Sequence, residues 1–538
     1  MRTPRLALAV SPAVVAVLAA LALSIAPRAV AGPAGANEFE SLSATFKKEL
    51  GDDKPATRLH AFLLASESKD PRVVDLLVEG VAQEAARREA ITKEQGEIEL
   101  ALETILSDIE KANEEVPESS REIEFFNKKM KKFEKKRDVL YGKLRDLASD
   151  AGQQAAIVVA GVAGLGKVLD AVAPAEALVA LDRIGAQWFS TKSTAAAHIR
   201  FLDVVAAVRG AVAWKRLRDA ATDDLLDPRV RVVAVGDLVM RGENGTTEVI
   251  LPLLASSTWP VVAATLDGLR RLHQRVAIEP LIAFLDRGEQ IGRLRTDAHA
   301  ALRSLTGQSH GPYAQPWRNW WEGAKATFQL PVAPADVSTI FQPEKGTYFF
   351  GIPTFSYHVL YVLDISGSML DIAHADDTGA RANERKIDRA RRELTGSIDM
   401  LDEKKSFNMV FFGHRVILYQ AGMIDADKSA RDRAKRFATE LEPAGGTNIH
   451  DALETAFRLQ NASTDGKTFL PAFDTIFFMT DGTPTAGKLQ KPDPILAAVA
   501  EWNRTAKVTI HVVGVGDSCD EKFLMSLAAA NGGIYVHR

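Results

Sequence analysis

Residues 358–368 read HVLYVLDISGS, an apolar run that ends in a cluster of oxygen-bearing side chains. Further apolar runs follow at 409–412, 476–479 and 508–515, with amphipathic stretches of helical spacing between them. Runs without polar alternation are typical of strands buried on both faces of a parallel sheet. Strands that alternate with helices in this way predict a doubly wound, Rossmann-like α/β domain over residues 355–538.

Three polar clusters follow predicted strands or open a predicted helix in this domain, where doubly wound folds place their sites. They contain two carboxylates and three hydroxyls, which belong to Asp364, Ser366, Ser368, Thr447 and Asp481. Ligation by oxygen alone suits a hard cation such as Mg²⁺ or Mn²⁺. Two carboxylates also leave the cation with residual positive charge and exchangeable waters, as Mg²⁺ sites usually keep. The clusters therefore predict a divalent cation site.

In residue type and order, these clusters resemble the metal-ion-dependent adhesion site of von Willebrand factor A domains. The shared features are an Asp-x-Ser-x-Ser motif, a separate Thr and an Asp-Gly pair, within about residues 357–538. The resemblance implies direct metal ligation by Ser366 and Ser368, and contact largely through water by Asp364 and Asp481. It also implies that Thr447 switches between direct and water-mediated contact.

The resemblance implies a binding function rather than an enzymatic one. No general base or nucleophile adjoins the clusters in sequence, and a Ser beside Mg²⁺ is not an activated nucleophile without a base. We expect an exported scaffold protein whose A domain binds an Asp or Glu of a protein partner through Mg²⁺. Two alternatives remain open: an accessory subunit of an ATP-driven assembly, and a structural protein in which the A domain is idle.

Residues 1–31 have the features of a signal peptide. Arg2 and Arg5 precede an apolar run to about Ala26, and a small-residue Ala-x-Ala sequence ends at Ala31. We therefore expect export to the periplasm or the extracellular space. The apolar run is also about as long as a membrane span, so an uncleaved anchor is the alternative. No other segment is expected to be long and apolar enough to cross a bilayer.

The region before the α/β domain is predicted to be all-α. Residues 32–88 show helical periodicity, and residues 89–150 predict an antiparallel coiled-coil hairpin. The hairpin would turn near Pro117, with Ser119-x-x-Glu122 as the capping box of its second helix. A spacer and a partner-binding arm are both compatible with this pattern.

Residues 151–325 predict helical repeats that resemble the HEAT class. The stretches 227–238 and 259–269 align with each other and more weakly with 296–305, and their final leucines are 31 and 36 residues apart. Residues 326–354 are the predicted linker. The sequence GVAGLGK at 161–167 matches most of a phosphate-binding loop, but Val168 replaces the Ser or Thr that would hold Mg²⁺. A helix start or turn is the favoured interpretation.

Charge argues against a nucleic-acid partner, because 66 basic and 70 acidic residues are interspersed and give a net charge of -4. Near the predicted site, a basic helical face is formed by Lys386, Arg389, Arg391 and Arg392. We expect exposed surface there rather than an anion site. Asp371, Asp376 and Asp377 lie in a polar loop, which is either an accessory cation site or a solvated loop.

Overall fold

The computed structural model describes residues 36–114, 120–189, 194–208, 210–332, 347–373, 384–460 and 472–538. The predicted signal peptide, the turn of the predicted hairpin with Pro117 and Ser119, and much of the predicted linker lie outside these ranges. The chain divides into two compact units. The first holds the residues up to 191 together with 203–208 and 487–489, and the second holds the rest.

The first unit is helical. Its helices are α1 (Ala36–Leu50), α2 (Pro55–Ser66), α3 (Val73–Glu114), α4 (Ser120–Ala171) and α5 (Pro174–Trp188). The two long helices α3 and α4 pack against each other and extend beyond residues 89–150 at both ends. A helix pair is therefore present in the region of the predicted hairpin, while its coiled-coil character stays a prediction.

The glycine-rich sequence at 161–167 lies inside α4, so the expected helix start or turn is wrong. A Cβ atom on Gly161 would lie 2.5 Å from the Cγ2 atom of Val81 and 2.8 Å from the Phe62 ring. The glycine thus allows neighbouring helices to approach closely. A phosphate-binding loop needs free backbone N–H groups, and those in a helix interior are already hydrogen-bonded.

Helix α4 also corrects the expectation that no segment beyond the N-terminus is apolar enough to cross a membrane. By length and composition, the stretch Glu124–Ala171 contains an 18-residue window that qualifies, with a mean hydropathy of 1.4. In the structure, 61% of this window is buried within the protein. The core helix of a soluble bundle has the same features.

Helix α6 (Ala195–Ala207) has residues in both units, and a stack of helices follows it in the second unit. They are α7 (Ala211–Thr222), α8 (Pro228–Arg241), α9 (Thr246–Ile250), α10 (Trp259–Leu272), α11 (Ile278–Leu285), α12 (Leu294–Thr306) and α13 (Ala314–Ala324). Helix α8 packs on α10 and α10 packs on α12, so the three aligned sequence stretches form neighbouring helices. Their assignment to the HEAT class stays a prediction.

The α/β domain contains a mixed sheet. After the hairpin of β1 (Thr347–Phe349) and β2 (Ile352–Thr354), its strands are β3 (His358–Asp364), β4 (Ser406–Phe412), β5 (Val416–Leu418), β6 (Ile424–Asp425), β7 (Thr475–Thr480), β8 (Thr509–Gly514) and β9 (Tyr535–His537). The sheet order is β5-β4-β3-β7-β8-β9, and β6 also pairs with β4. Strands β3, β4, β7, β8 and β9 are parallel, whereas β5 and β6 are antiparallel to β4. The expectation of a parallel sheet is therefore right for the central strands. It is wrong for the outer strands β5 and β6, because the chain turns back after β4.

Helices connect the strands: the first four lie in the predicted amphipathic stretches, and the last of the five was not predicted. They are α14 (Lys386–Asp399), α15 (Lys428–Glu440), α16 (Ile449–Gln460), α17 (Pro492–Ala506) and α18 (Glu521–Ala530). Every residue of β4, β7 and β8 is buried, and so is every residue of β3 after His358. The chain runs from β3 to β4 on one side and then to β7 on the other side of β3. Such a reversal leaves a crevice at the carboxyl ends of the central strands.

The helical stack contacts the opposite, amino edge of the sheet. The Nη1 atom of Arg293, just before α12, donates to the carbonyl oxygens of Asp474 (3.1 Å) and Lys507 (2.5 Å). These two residues precede β7 and β8, respectively. Helix α17 also packs on α8. Because the stack holds the amino edge, the carboxyl edge of the same sheet remains available for a site.

Candidate metal site

Three loops meet at the carboxyl edge and are joined by backbone hydrogen bonds. In the loop after β3, the Gly367 N–H donates to the Gly445 carbonyl (2.9 Å), and the Ala444 N–H donates back to Ile365 (2.9 Å). The loop after β7 joins them through the Thr485 N–H, which donates to the Thr447 carbonyl (3.0 Å). All three predicted clusters therefore lie together, although they are far apart in the sequence.

Asp364 lies at the buried bottom of the site. It ends β3 with no exposed surface, and its two carboxylate oxygens accept from the Ser366 N–H (2.7 Å) and the Thr480 hydroxyl (2.5 Å). Burial and, to a lesser extent, the nearby charge of Asp481 raise the pKa of Asp364 to about 7. The hydrogen bonds fix the orientation of this carboxylate, and a nearby cation would stabilise its ionised form.

The serine hydroxyls and Asp481 continue the oxygen cluster. The Oγ atoms of Ser366 and Ser368 are 3.1 Å apart, and the Ser368 hydroxyl donates to Asp481 Oδ1 over 2.9 Å. Octahedral Mg²⁺ with bonds of about 2.1 Å separates adjacent oxygens by about 3 Å. The donor atoms and their spacing thus fit Mg²⁺ or Mn²⁺, with Ser366, Ser368 and Asp481 as the residues that would hold it together with Asp364 and Thr447.

Thr447 reaches the cluster from the start of α16. Its hydroxyl faces the turn after Asp481, because a Cβ atom on Gly482 would lie 3.7 Å from Thr447 Oγ1. The next residue, Asn448, and Asp451 form reciprocal hydrogen bonds: Asn448 Nδ2 donates to the Asp451 carboxylate (2.9 Å), and the Asp451 N–H donates to Asn448 Oδ1 (3.2 Å). Such an exchange fixes a helix start, and here it fixes the position of Thr447.

Lys386 is part of the site, so the expectation of an exposed basic face is wrong for it. The residue is 4% exposed, and its Nζ atom donates to Asp481 Oδ2 over 2.8 Å. Arg389 is buried as well and pairs with Glu384 (3.3 Å). A sequence signal exists in hindsight: Lys386 is the first residue of α14, where the helix dipole disfavours a cation unless an anion lies nearby.

The polar loop that is interpreted as either an accessory cation site or a solvated loop lies mostly outside the described residues. Asp371 is exposed beside the site, while Asp376 and Asp377 lie outside the described residues. A different group on α16 has metal-ligating atoms within 4.8 Å of one another, namely His450, Asp451 and Glu454. Its Asp451 already serves the helix start described above, so we assign no ion to this group.

Comparison with known proteins identifies this domain. Residues 372–537 match the family model of the von Willebrand factor type A domain, a range that includes Thr447 and Asp481 but begins after Ser368. Inter-alpha-trypsin inhibitor heavy chain H2 of Mesocricetus auratus is 31% identical over 178 residues, which are 33% of this chain and 17% of that protein. Heavy chain H4 of Homo sapiens is 30% identical over 186 residues, or 34% of this chain and 18% of that protein.

These alignments span less than a fifth of the length of the curated relatives, so they concern one domain. A solved structure described as von Willebrand factor type A from Catenulispora acidiphila covers 34% of this chain and 38% of its own, at 21% identity and a TM-score of 0.27. The C-terminal α/β domain of this chain is a von Willebrand factor type A domain, homologous to part of the inter-alpha-trypsin inhibitor heavy chains.

Proposed function

We propose that this chain is an exported, metal-dependent binding or scaffold protein. Its A domain would hold Mg²⁺, or Mn²⁺, with Asp364, Ser366, Ser368, Thr447 and Asp481. The metal would bind an Asp or Glu carboxylate of a protein partner. The observation that carries this proposal is the cluster of side-chain oxygens beside the buried Asp364. Neighbouring oxygens of Ser366, Ser368 and Asp481 are 3.1 and 2.9 Å apart.

The hydrogen bonds of the two serines favour binding over catalysis. Within the described residues, the hydroxyls of Ser366 and Ser368 contact each other, and Ser368 also contacts Asp481. Asp481 in turn is engaged by the buried Lys386, whose Nζ atom lies 2.8 Å from Asp481 Oδ2. Neither serine therefore has the partner that would activate it for attack.

Exposed apolar side chains beside the site support a protein partner. Leu370 is 43% exposed and Ile372 is 49% exposed, and both follow the Asp-x-Ser-x-Ser motif closely in sequence. A carboxylate that reached the metal would bring its neighbouring residues near these side chains. Burial of apolar surface around a central polar contact is the usual composition of a protein interface.

Affinity capture with the full chain tests the proposal. Partner recovery from extract of the native host is compared in Mg²⁺ and in chelator, for wild type, Ser366→Ala and the control Ser526→Ala. Ser526 lies on α18 and its hydroxyl bonds only within its own helix turn in the described structure. We expect a partner that is retained by wild type and Ser526→Ala in Mg²⁺ and lost in the other samples. Equal recovery in all samples contradicts the proposal.

Export is tested separately by intact-mass analysis of protein from the native host. A soluble mature protein that begins near Gly32 supports export with cleavage. A mass that retains residues 1–31, found in the membrane fraction, instead establishes the uncleaved anchor.

A further inference from the structure

The buried side chain of Lys386 lies beside the Asp481 carboxylate of the candidate metal site. The side chains of Lys386 and Asp481 are 5% and 0% exposed, and their charged atoms are 2.8 Å apart. Ser518 extends the cluster: its hydroxyl is 3.4 Å from Lys386 Nζ and donates to the Asp481 carbonyl over 3.2 Å. Asp481 is therefore held by an internal cation and by the loop that follows β8.

The fold makes room for this lysine. Gly516 has a φ of +75°, and a Cβ atom there would lie 2.7 Å from Lys386 Cε and 3.2 Å from the Ala373 carbonyl. The glycine at this turn leaves a slot through which the lysine stem passes to Asp481. A long side chain buried along a shaped slot loses several rotatable bonds of freedom, so its position is a defined feature of the domain.

The lysine changes the charge of the site. With both carboxylates ionised, as metal binding requires, Asp364 and Asp481 supply two negative charges, and the ammonium group of Lys386 offsets one of them at hydrogen-bond distance from Asp481. We infer that Lys386 is a resident cation that weakens divalent metal binding by repulsion and by occupying one oxygen of Asp481. This inference rests on the proposed function, because it assumes that the site takes a divalent cation.

A consequence follows for the occupied site. A divalent cation would meet a net charge of one negative unit rather than two, so it would retain more positive charge. That residual charge favours an additional anionic ligand, such as the partner carboxylate of the proposed function. Charges within a few ångströms interact strongly where burial lowers the dielectric.

The competing explanation is that Lys386 only braces Asp481 in position. Under that explanation its removal weakens metal binding, since the ligand becomes less ordered. Under the inferred role its removal strengthens metal binding. The two explanations therefore predict opposite signs.

Mn²⁺ titration of the full chain decides between them. The variants are Lys386→Gln, which keeps a hydrogen-bond donor without the charge, and Lys386→Met, which removes both. The control is Lys405→Met. Lys405 is also a buried lysine of this domain, but its Nζ donates to the Thr347 hydroxyl (2.7 Å), away from the metal site.

We expect both Lys386 variants to bind Mn²⁺ about tenfold or more tightly than wild type, and the control to stay within about threefold. Equal or weaker binding by both Lys386 variants overturns the inference while leaving the metal site in place. Loss of folding in both, with and without Mn²⁺, also overturns it in favour of a bracing role. Absence of Mn²⁺ binding in wild type and in all variants contradicts the proposed function itself.

Discussion

The amino and carboxyl ends of the central strands each carry an aspartate, but they differ in what surrounds it. At the amino edge, Asp474 accepts hydrogen bonds from the hydroxyls of Ser356 (2.5 Å) and Thr475 (2.8 Å). Burial raises the pKa of Asp474, and the charge of Arg293 acts in the opposite direction. At the carboxyl edge, the oxygens of the Asp364 site contact one another and Lys386.

The amino edge is closed by the helical stack. The Arg293 guanidinium bonds to Asp297 of α12 and to two backbone carbonyls, and it lies over the Trp259 ring at 5.4 Å. Arg295 lies similarly over the ring of Phe355. At the carboxyl edge, Ser368 is partly exposed and exposed Leu370 follows it. A charged cluster thus joins two elements where protein covers both of its sides, and it forms a candidate site where one side is exposed.

Breaking the closed edge should have the largest effect on stability. Arg293→Ala removes the donor to the Asp474 and Lys507 carbonyls and leaves Asp297 without its partner at 2.5 Å. We expect a loss of about 3 to 5 kcal/mol in the free energy of unfolding, as for other broken buried pairs. Urea unfolding followed by tryptophan fluorescence measures it.

Arg318→Ala is the matched control, because Arg318 pairs with Asp286 where both side chains are over 40% exposed. Exposed pairs contribute about 1 kcal/mol or less. If Arg293→Ala is no more damaging than this control, the amino edge is not the closed structural contact described above.

Lowering the pH should reduce the free energy of unfolding through His511, a buried residue of β8. Burial lowers the pKa of His511 to about 3, so the folded state keeps it neutral while the unfolded state binds a proton below about 6.5. The stability it contributes is present above pH 6.5 and is lost as the pH falls toward 3. Between pH 6.5 and 4.5 the expected loss is about 2 to 3 kcal/mol.

The histidine has to be isolated by a variant, because the raised pKa of Asp364 acts with the opposite sign over part of this range. His511→Asn can keep an acceptor for the Ile534 N–H, which now bonds to His511 Nδ1 (3.1 Å), without titrating. Wild type should lose stability relative to this variant as the pH falls from 6.5 to 4.5. Parallel pH profiles for the two proteins would show that His511 does not titrate in this way.

Removing a hydroxyl at the open edge should reduce stability less than either Arg293→Ala or the fall in pH acting through His511. Without metal, Ser366→Ala loses a contact to Ser368 but leaves the backbone bond from residue 366 to Asp364 in place. We expect a loss of roughly 1 to 2 kcal/mol, measured by the same urea unfolding in chelator. A loss as large as that of Arg293→Ala would mean that the open edge is also a structural contact.

Local sequence patterns predicted much of the α/β domain and placed the three polar clusters at the carboxyl ends of its strands. The buried strands appear as apolar runs, and a doubly wound fold brings their carboxyl ends together. For this reason Asp364, Thr447 and Asp481 could be grouped although 117 residues separate the first and last. The resemblance to A domains added the roles of the serines, which no spacing supplies.

Contacts between distant segments were not predictable in the same way. Lys386 has ordinary helical spacing, and only the tertiary fold places it 2.8 Å from Asp481, 95 residues away. The glycines at 161–167 look like a loop locally, whereas their packing against α2 and α3 favours a helix. The contact of Arg293 with the amino edge likewise depends on how the stack meets the sheet.

Equilibrium dialysis of the full chain against Mn²⁺ tests the central claim that the five oxygen-bearing residues hold a divalent cation. Wild type should bind Mn²⁺ at this site, and Asp364→Ala and Ser366→Ala should lose that binding. Asp371→Ala should retain it, because this exposed neighbour belongs to the loop and not to the oxygen cluster. Equal Mn²⁺ binding by wild type and Asp364→Ala, or none by wild type at millimolar metal, would contradict the account.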